Sequence, residues 1–130
     1  ATSINQLCRE GNDCERWNML HPTKKAKTAY ITEQLSGCNA PVIASTDYMK
    51  AYSEQMRAYI EQPFYVLGTD GFGRSDSRAA LRHFFEVDRN FVVISALKAL
   101  ADQGTIKATV VEKAIKTLGI DPEKPNPLYL

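Results

Sequence analysis

The sequence is poor in the residues that usually carry covalent or metal chemistry. It has two histidines, His21 and His83, and three cysteines, Cys8, Cys14 and Cys38. Neither histidine has a cysteine, carboxylate or second histidine at a metal-ligand spacing, so both read as structural or solvated. An odd number of scattered cysteines gives no disulfide framework and no zinc knuckle. They read as buried or idle thiols in a reducing compartment, which leads us to expect a cytoplasmic protein. No apolar run approaches the roughly 20 residues of a membrane span. The opening residues do not pair a basic stretch with an apolar one, so no signal peptide is visible. Charge of one sign is also missing: 16 basic against 15 acidic residues leave a formal charge of +1. That balance argues against a nucleic-acid binder or a protein built for an anionic membrane.

Motifs are missing as well. There is no Gly-Lys-Ser/Thr phosphate loop. Ser45, Ser75 and Ser77 lie in no Gly-x-Ser-x-Gly frame, so there is no nucleophile elbow. If Gly71 and Gly73 opened a dinucleotide fingerprint, its third glycine would fall on Asp76, whose charge repels a pyrophosphate.

What remains is an ordinary composition, 44% hydrophobic and 24% charged over 130 residues. It suits one segment that needs no staple. Ser3 is expected to cap a short helix stopped by Gly11, with a second helical turn over 13–20 ended by Pro22. Residues 22–28 read as an exposed basic loop and 30–35 as a short helix ending at Gly37. The run Pro41 to Thr46 and the run Phe64 to Gly68 read as buried strands. Between them, Thr46 or Asp47 should cap a helix with Tyr48, Tyr52, Met56, Tyr59 and Ile60 on one face. That tyrosine stripe reads as core or interface rather than a stacking platform for bases. Ser75 or Asp76 should cap a helix to about Phe85. Asp88 opens another over 89–103, and Thr105 a last one closed by Gly119. The proline-bearing tail should be extended.

Strand–helix–strand order implies an α/β fold with a parallel pair and a right-handed crossover. Two strands that are apolar on both faces need more strands beside them. The helices are in excess, so further strands are expected upstream of residue 1. The loop from Gly68 to Asp76 is the one candidate site: Asp70, Gly71, Phe72, Gly73, Arg74, Ser75, Asp76 and Arg78. Glycines allow tight turns there, Phe72 is an aromatic at the tip, and Arg74, Arg78 and Arg82 recur every four residues. It reads as a packing loop or contact surface. The other reading is an independent module that grips an anion or an acidic protein.

Several long segments carry a resemblance. They are Cys14-Glu-Arg-Trp-Asn-Met-Leu-His-Pro22, Ala44-Ser-Thr-Asp-Tyr-Met-Lys50, Leu67-Gly-Thr-Asp-Gly-Phe-Gly-Arg-Ser-Asp-Ser-Arg78, Leu81-Arg-His-Phe-Phe-Glu-Val-Asp88 and Gly119-Ile-Asp-Pro-Glu-Lys-Pro-Asn-Pro127. In order and spacing they resemble the end of the homodimeric bacterial pyruvate dehydrogenase decarboxylating component. The turn Phe72-Gly73-Arg74-Ser75 is similar to one in the wider transketolase group. The resemblance implies that residues 1–130 are the later part of the C-terminal, third domain of a larger enzyme. That domain would be a transketolase C-terminal-type, three-layer domain with a small, mostly parallel sheet. The parent would be an oxidoreductase using thiamine diphosphate and magnesium, decarboxylating pyruvate and acetylating the lipoyl group of dihydrolipoyl acetyltransferase, as a homodimer in the bacterial cytoplasm. It implies no catalytic, cofactor-binding or metal residue in this segment, and a packing role for the loop against neighbouring domains and the partner subunit.

Overall fold

A computed structural model describes residue 1 and residues 3–130. Ser3 caps the first helix, α1 (Ile4–Leu20), its hydroxyl accepting from the Gln6 amide at 3.2 Å. The helix is continuous, so the expected stop at Gly11 is wrong. Gly11 is a point of close approach instead: a Cβ there would stand 2.6 Å from the Tyr59 ring. A helix stop and a close approach both select glycine, and the sequence alone does not separate them. The basic loop after α1 is exposed, as expected, and it is pinned. Asn18 exchanges two hydrogen bonds with the Lys27 backbone, and Lys27 Nζ lies 4.8 Å from the Trp17 ring centre. A short helix α2 (Tyr30–Leu35) follows, with Gly37 beyond it at φ +76°.

The strands are β1 (Val42–Ser45) and β2 (Phe64–Leu67), parallel and adjacent, with Val42 opposite Phe64. The helix between them is much shorter than expected. Helix α3 covers Lys50–Glu54, and a single 3-10 turn covers Arg57–Tyr59. Thr46 and Asp47 do not cap it. The Thr46 hydroxyl accepts from the Tyr48 amide, which holds 46–48 in a turn. Tyr48 is therefore exposed, set edge-to-face on Tyr52, while Tyr59 is buried.

Helix α4 (Arg78–Phe84) is capped by Ser77, not Ser75 or Asp76; the Asp76 carboxylate accepts from the Ser77 amide instead. Asp88 caps α5 (Arg89–Asp102) as expected, accepting from the Asn90 and Phe91 amides. The last helix, α6 (Ala108–Thr117), starts later than Thr105 and has no side-chain cap. The tail is not simply extended. It turns through Pro127–Tyr129, Pro127 is buried, and Lys124 donates to the Phe84 carbonyl at 2.7 Å.

Alternation along the strands divides the packing. Val42, Ala44, Phe64 and Val66 face a cluster with Cys8, Met56 and Ile60, joined by Leu7 and Ile31 from α1 and α2. Ser45 points the other way and bonds the Val87 carbonyl ahead of α5. The chain is thus a helix-rich α/β structure around a two-stranded parallel sheet. The expectation of buried strands fails for both: β1 has no buried residue and β2 buries only Phe64. Among the described residues only β2 pairs with it, and a groove of about 560 Å³ runs along Val42–Thr46 between α1 and α3.

Candidate functional site

Parallel strands deliver the loops that follow them to the same end of a sheet. Here the segment after β1 and the loop after β2 are joined by hydrogen bonds. The Thr69 amide donates to the Tyr48 carbonyl at 3.0 Å, and the Thr69 hydroxyl to the Asp47 carbonyl at 3.1 Å. Gly68 is forced by this seam, because a Cβ there would lie 2.8 Å from the Lys50 amide nitrogen. Asp70 completes it, accepting from the Lys50 amide at 3.0 Å and so serving the amino end of α3. Gly71 holds φ +106° with the tail against it: a Cβ would meet the Pro127 carbonyl oxygen at 3.0 Å.

Beyond the seam the loop stands out from the sheet. Gly71, Phe72, Gly73, Arg74, Asp76 and Arg78 line one cavity of about 470 Å³, completed by Asp47, Thr69, Leu81, Arg82 and Phe85. Six of the eight candidate residues are therefore brought together. Ser75 does not line the cavity. Asp70 lies in a separate cleft with Lys50 and Pro127, where its role is structural.

The cavity is electrostatically ordered. Arg82 donates to both carboxylate oxygens of Asp47, at 3.2 and 2.7 Å. This bond, aided by the Arg82 and Arg78 charges and opposed by desolvation, holds the Asp47 carboxyl below its ordinary range. Arg74 stacks on Phe84, 4.7 Å from the ring centre. Among the described residues neither Arg74 nor Arg78 has a carboxylate partner. Phe72 is 78% exposed.

Asp47, Thr69, Leu81 and Phe85 belong to the site but were not singled out from the sequence. The signal was available in principle, since the residues just after β1 must lie beside the loop after β2 in a parallel pair. Elsewhere little suggests chemistry. Burial raises the Cys8 and Cys14 thiols, the reverse of activation. His21 stacks on Trp17, and His83 meets Asp88 at 3.1 Å. Among the described residues no three histidine, cysteine or acidic side chains are grouped to hold a metal, and no helix is long and apolar enough to cross a membrane.

A sheet of parallel strands, a Phe-Gly-x-Ser turn at its carboxyl end and a helix from Arg78 define a class. The sequence pattern of the transketolase-like TK C-terminal domain matches residues 2–88, and the chain belongs to that family. More particular relatives match past residue 88. The chain is 61% identical over 127 residues to the pyruvate dehydrogenase E1 component of Pseudomonas aeruginosa, 97% of this chain and 14% of that protein. Against the protein of the same name from Escherichia coli it is 54% identical over 128 residues, 98% of this chain and 14% of the relative. With that of Cupriavidus necator it shares 53% over 126 residues, 97% and 14%. The chain thus spans about 14% of the length of these relatives.

Proposed function

We propose that residues 1–130 are the later part of the C-terminal domain of a multidomain, thiamine-diphosphate-dependent pyruvate dehydrogenase. That enzyme would be an oxidoreductase that decarboxylates pyruvate and reductively acetylates the lipoyl group of dihydrolipoyl acetyltransferase. It would act as a homodimer in the bacterial cytoplasm, with magnesium beside its cofactor. The observation that carries this reading is the 61% identity over 97% of the chain to a bacterial relative of that name. The groove on the free edge of β1 supports it, because parallel strands require cover on both sides.

The residues present do not fit thiamine diphosphate with its metal. Such a site needs carboxylate or carbonyl oxygens free for a divalent cation. Among the described residues no three histidine, cysteine or acidic side chains are grouped to hold a metal, and of the two carboxylates lining the cavity Asp47 is paired to Arg82, which leaves Asp76 alone. This supports placing cofactor and chemistry in other parts of the parent. The segment's own role is structural. Its loop, with Phe72 exposed at the tip and Arg74 and Arg78 behind it, is a contact surface for packing against neighbouring domains or the partner subunit.

The test uses the full-length polypeptide that carries this segment, loaded with thiamine diphosphate and magnesium. Pyruvate-dependent release of carbon dioxide and acetylation of a lipoyl domain are the expected results. Phe72→Asp should shift the dimer toward monomer in analytical ultracentrifugation. A full-length protein that turns over no 2-oxo acid would end the enzymatic reading. An unaltered dimer and unaltered thermal stability in Phe72→Asp would end the contact-surface reading.

A further inference from the structure

The charge of this chain is unevenly spread. Residues 16–28 hold Arg16, Lys24, Lys25 and Lys27 and no acidic residue, although the whole chain has 16 basic and 15 acidic residues. The remainder is therefore net acidic. The cations gather in the last turns of α1 and the loop that follows it. Among the described residues none of the four has a carboxylate partner. Met19 and Leu20 stand among them, 71% and 52% exposed. Arg16, Met19 and Leu20 are three and four apart on a helix and so share one face. We infer that this surface docks an acidic segment of another protein, one that sets carboxylates around one or two apolar side chains. It shares no residue with the contact loop after β2.

The loop is held in shape without a partner. Its far end is tied back to α1: the Asn18 side chain exchanges bonds of 2.8 and 2.7 Å with the Lys27 backbone, and the Cys14 thiol donates to the Thr28 carbonyl at 3.6 Å. Within it, the Lys24 amide closes a turn onto the His21 carbonyl at 3.0 Å. The Trp17 ring carries the His21 ring, 4.5 Å between centres, and the Lys27 ammonium at 4.8 Å. Residues 22–28 are nonetheless all exposed. A loop anchored in this way presents its side chains already ordered, so less freedom is lost when a partner binds. The composition selects the occupant. Docking surfaces place an apolar centre inside a polar rim, and methionine is favoured at the centre while lysine is not. Met19 and Leu20 supply the centre. The lysines supply the rim, where charge speeds encounter and selects a partner of opposite sign. An anionic bilayer is the poorer fit: firm attachment takes a lipid chain or a denser basic cluster, and a fluid surface gains nothing from a clamped loop.

The test is fluorescence anisotropy on the full-length protein saturated with thiamine diphosphate and magnesium. Three labelled helical peptides are compared: one of glutamate and leucine, one with glutamine in place of each glutamate, and one with serine in place of each leucine. The glutamate–leucine peptide should bind saturably, about tenfold more tightly than either control, and more weakly as salt is raised. Lys24→Glu with Lys25→Glu should weaken that binding about tenfold and Met19→Ser several-fold. The same change of charge at the exposed Lys107 and Lys113 of the α6 region should leave it within about twofold. Equal binding of the three peptides, or equal losses in the two double variants, would overturn the inference. So would tighter binding to vesicles of phosphatidylcholine and phosphatidylserine that Lys24→Glu with Lys25→Glu abolishes, since the surface would then belong to a membrane. The peptide comparison needs only the wild-type protein, so a variant that fails to fold leaves the inference open to refutation. Carbon dioxide release and the dimer equilibrium are separate readouts, so failure here is distinguishable from failure of the proposed function.

Discussion

The two faces of the sheet are built differently. On one, α1, α2 and the β1–β2 crossover close over Cys8, Met56, Ile60 and Phe64, all buried. On the other lies α5, which is apolar nearly all round yet buries only Ala99, at 0% exposure, and leaves Val93 46% exposed. A helix without a polar face is normally enclosed. The first face holds the buried cluster and is closed except along β1, where the groove of Val42–Thr46 opens; the second has more apolar surface than α6 and the sheet cover. The comparison teaches where a segment of this kind closes its own core and where it has surface for something else.

Substitutions can break or sharpen that contrast. The largest expected effect is on the closed face: Phe64→Ala should lower the unfolding free energy of this chain by about 3–5 kcal/mol in chemical denaturation. A loss below about 1 kcal/mol, the size of a one-methylene deletion, would mean that this face is not the core. Gly11→Ala comes next. The gain in helix propensity is about 1 kcal/mol, but the new methyl meets a buried ring that is anchored through its hydroxyl to Asn12 at 2.9 Å. Overpacking of about 1–3 kcal/mol should win, and a rise in thermal midpoint would show that Tyr59 moves aside. Asp70→Ala removes the partner of the Lys50 amide and should cost about 1 kcal/mol, as loss of a helix cap does.

On the open face, Val93→Ser should change the stability of this chain by no more than about 0.5 kcal/mol. If other parts of the full-length parent cover α5, the same change should cost several-fold more there. Equal small effects in both would show that α5 stays uncovered. The smallest effect is one of pH. The Asp47 carboxyl is lowered in the folded chain from its ordinary 3.8, so its pairing with Arg82 stabilises fully above that value and is lost as pH falls through the folded value. The thermal-midpoint gap between wild type and Asp47→Asn should hold constant from about pH 7 to pH 5 and shrink only below about 3.8. A gap that shrinks near neutrality would assign the effect to another group.

Much of the fold was legible. Both strands, the Ser3 and Asp88 caps and the ends at Gly37 and Gly119 follow from local rules, because the groups that settle them are neighbours in sequence, and the parallel pairing follows from the strand–helix–strand order. What was not legible depends on distant partners. Gly11 is explained by Tyr59, and the late start of α3 by the turn at Thr46 and by Asp70. The site followed the same division. Glycines and arginines marked the loop, but the Asp47–Arg82 pair joins residues 35 apart and exists only once the two strands lie side by side.

Asp70 has a consequence for cooperativity. Helix α3 has five residues, too few to persist alone in water. One of its first amides is satisfied from 20 residues downstream, by a group placed only when β2 has paired with β1. Helix, strand pair and loop therefore form and open as one unit rather than in sequence. The Lys50 amide is a natural reporter of that unit: its hydrogen exchange should keep pace with the amides of the strand pair.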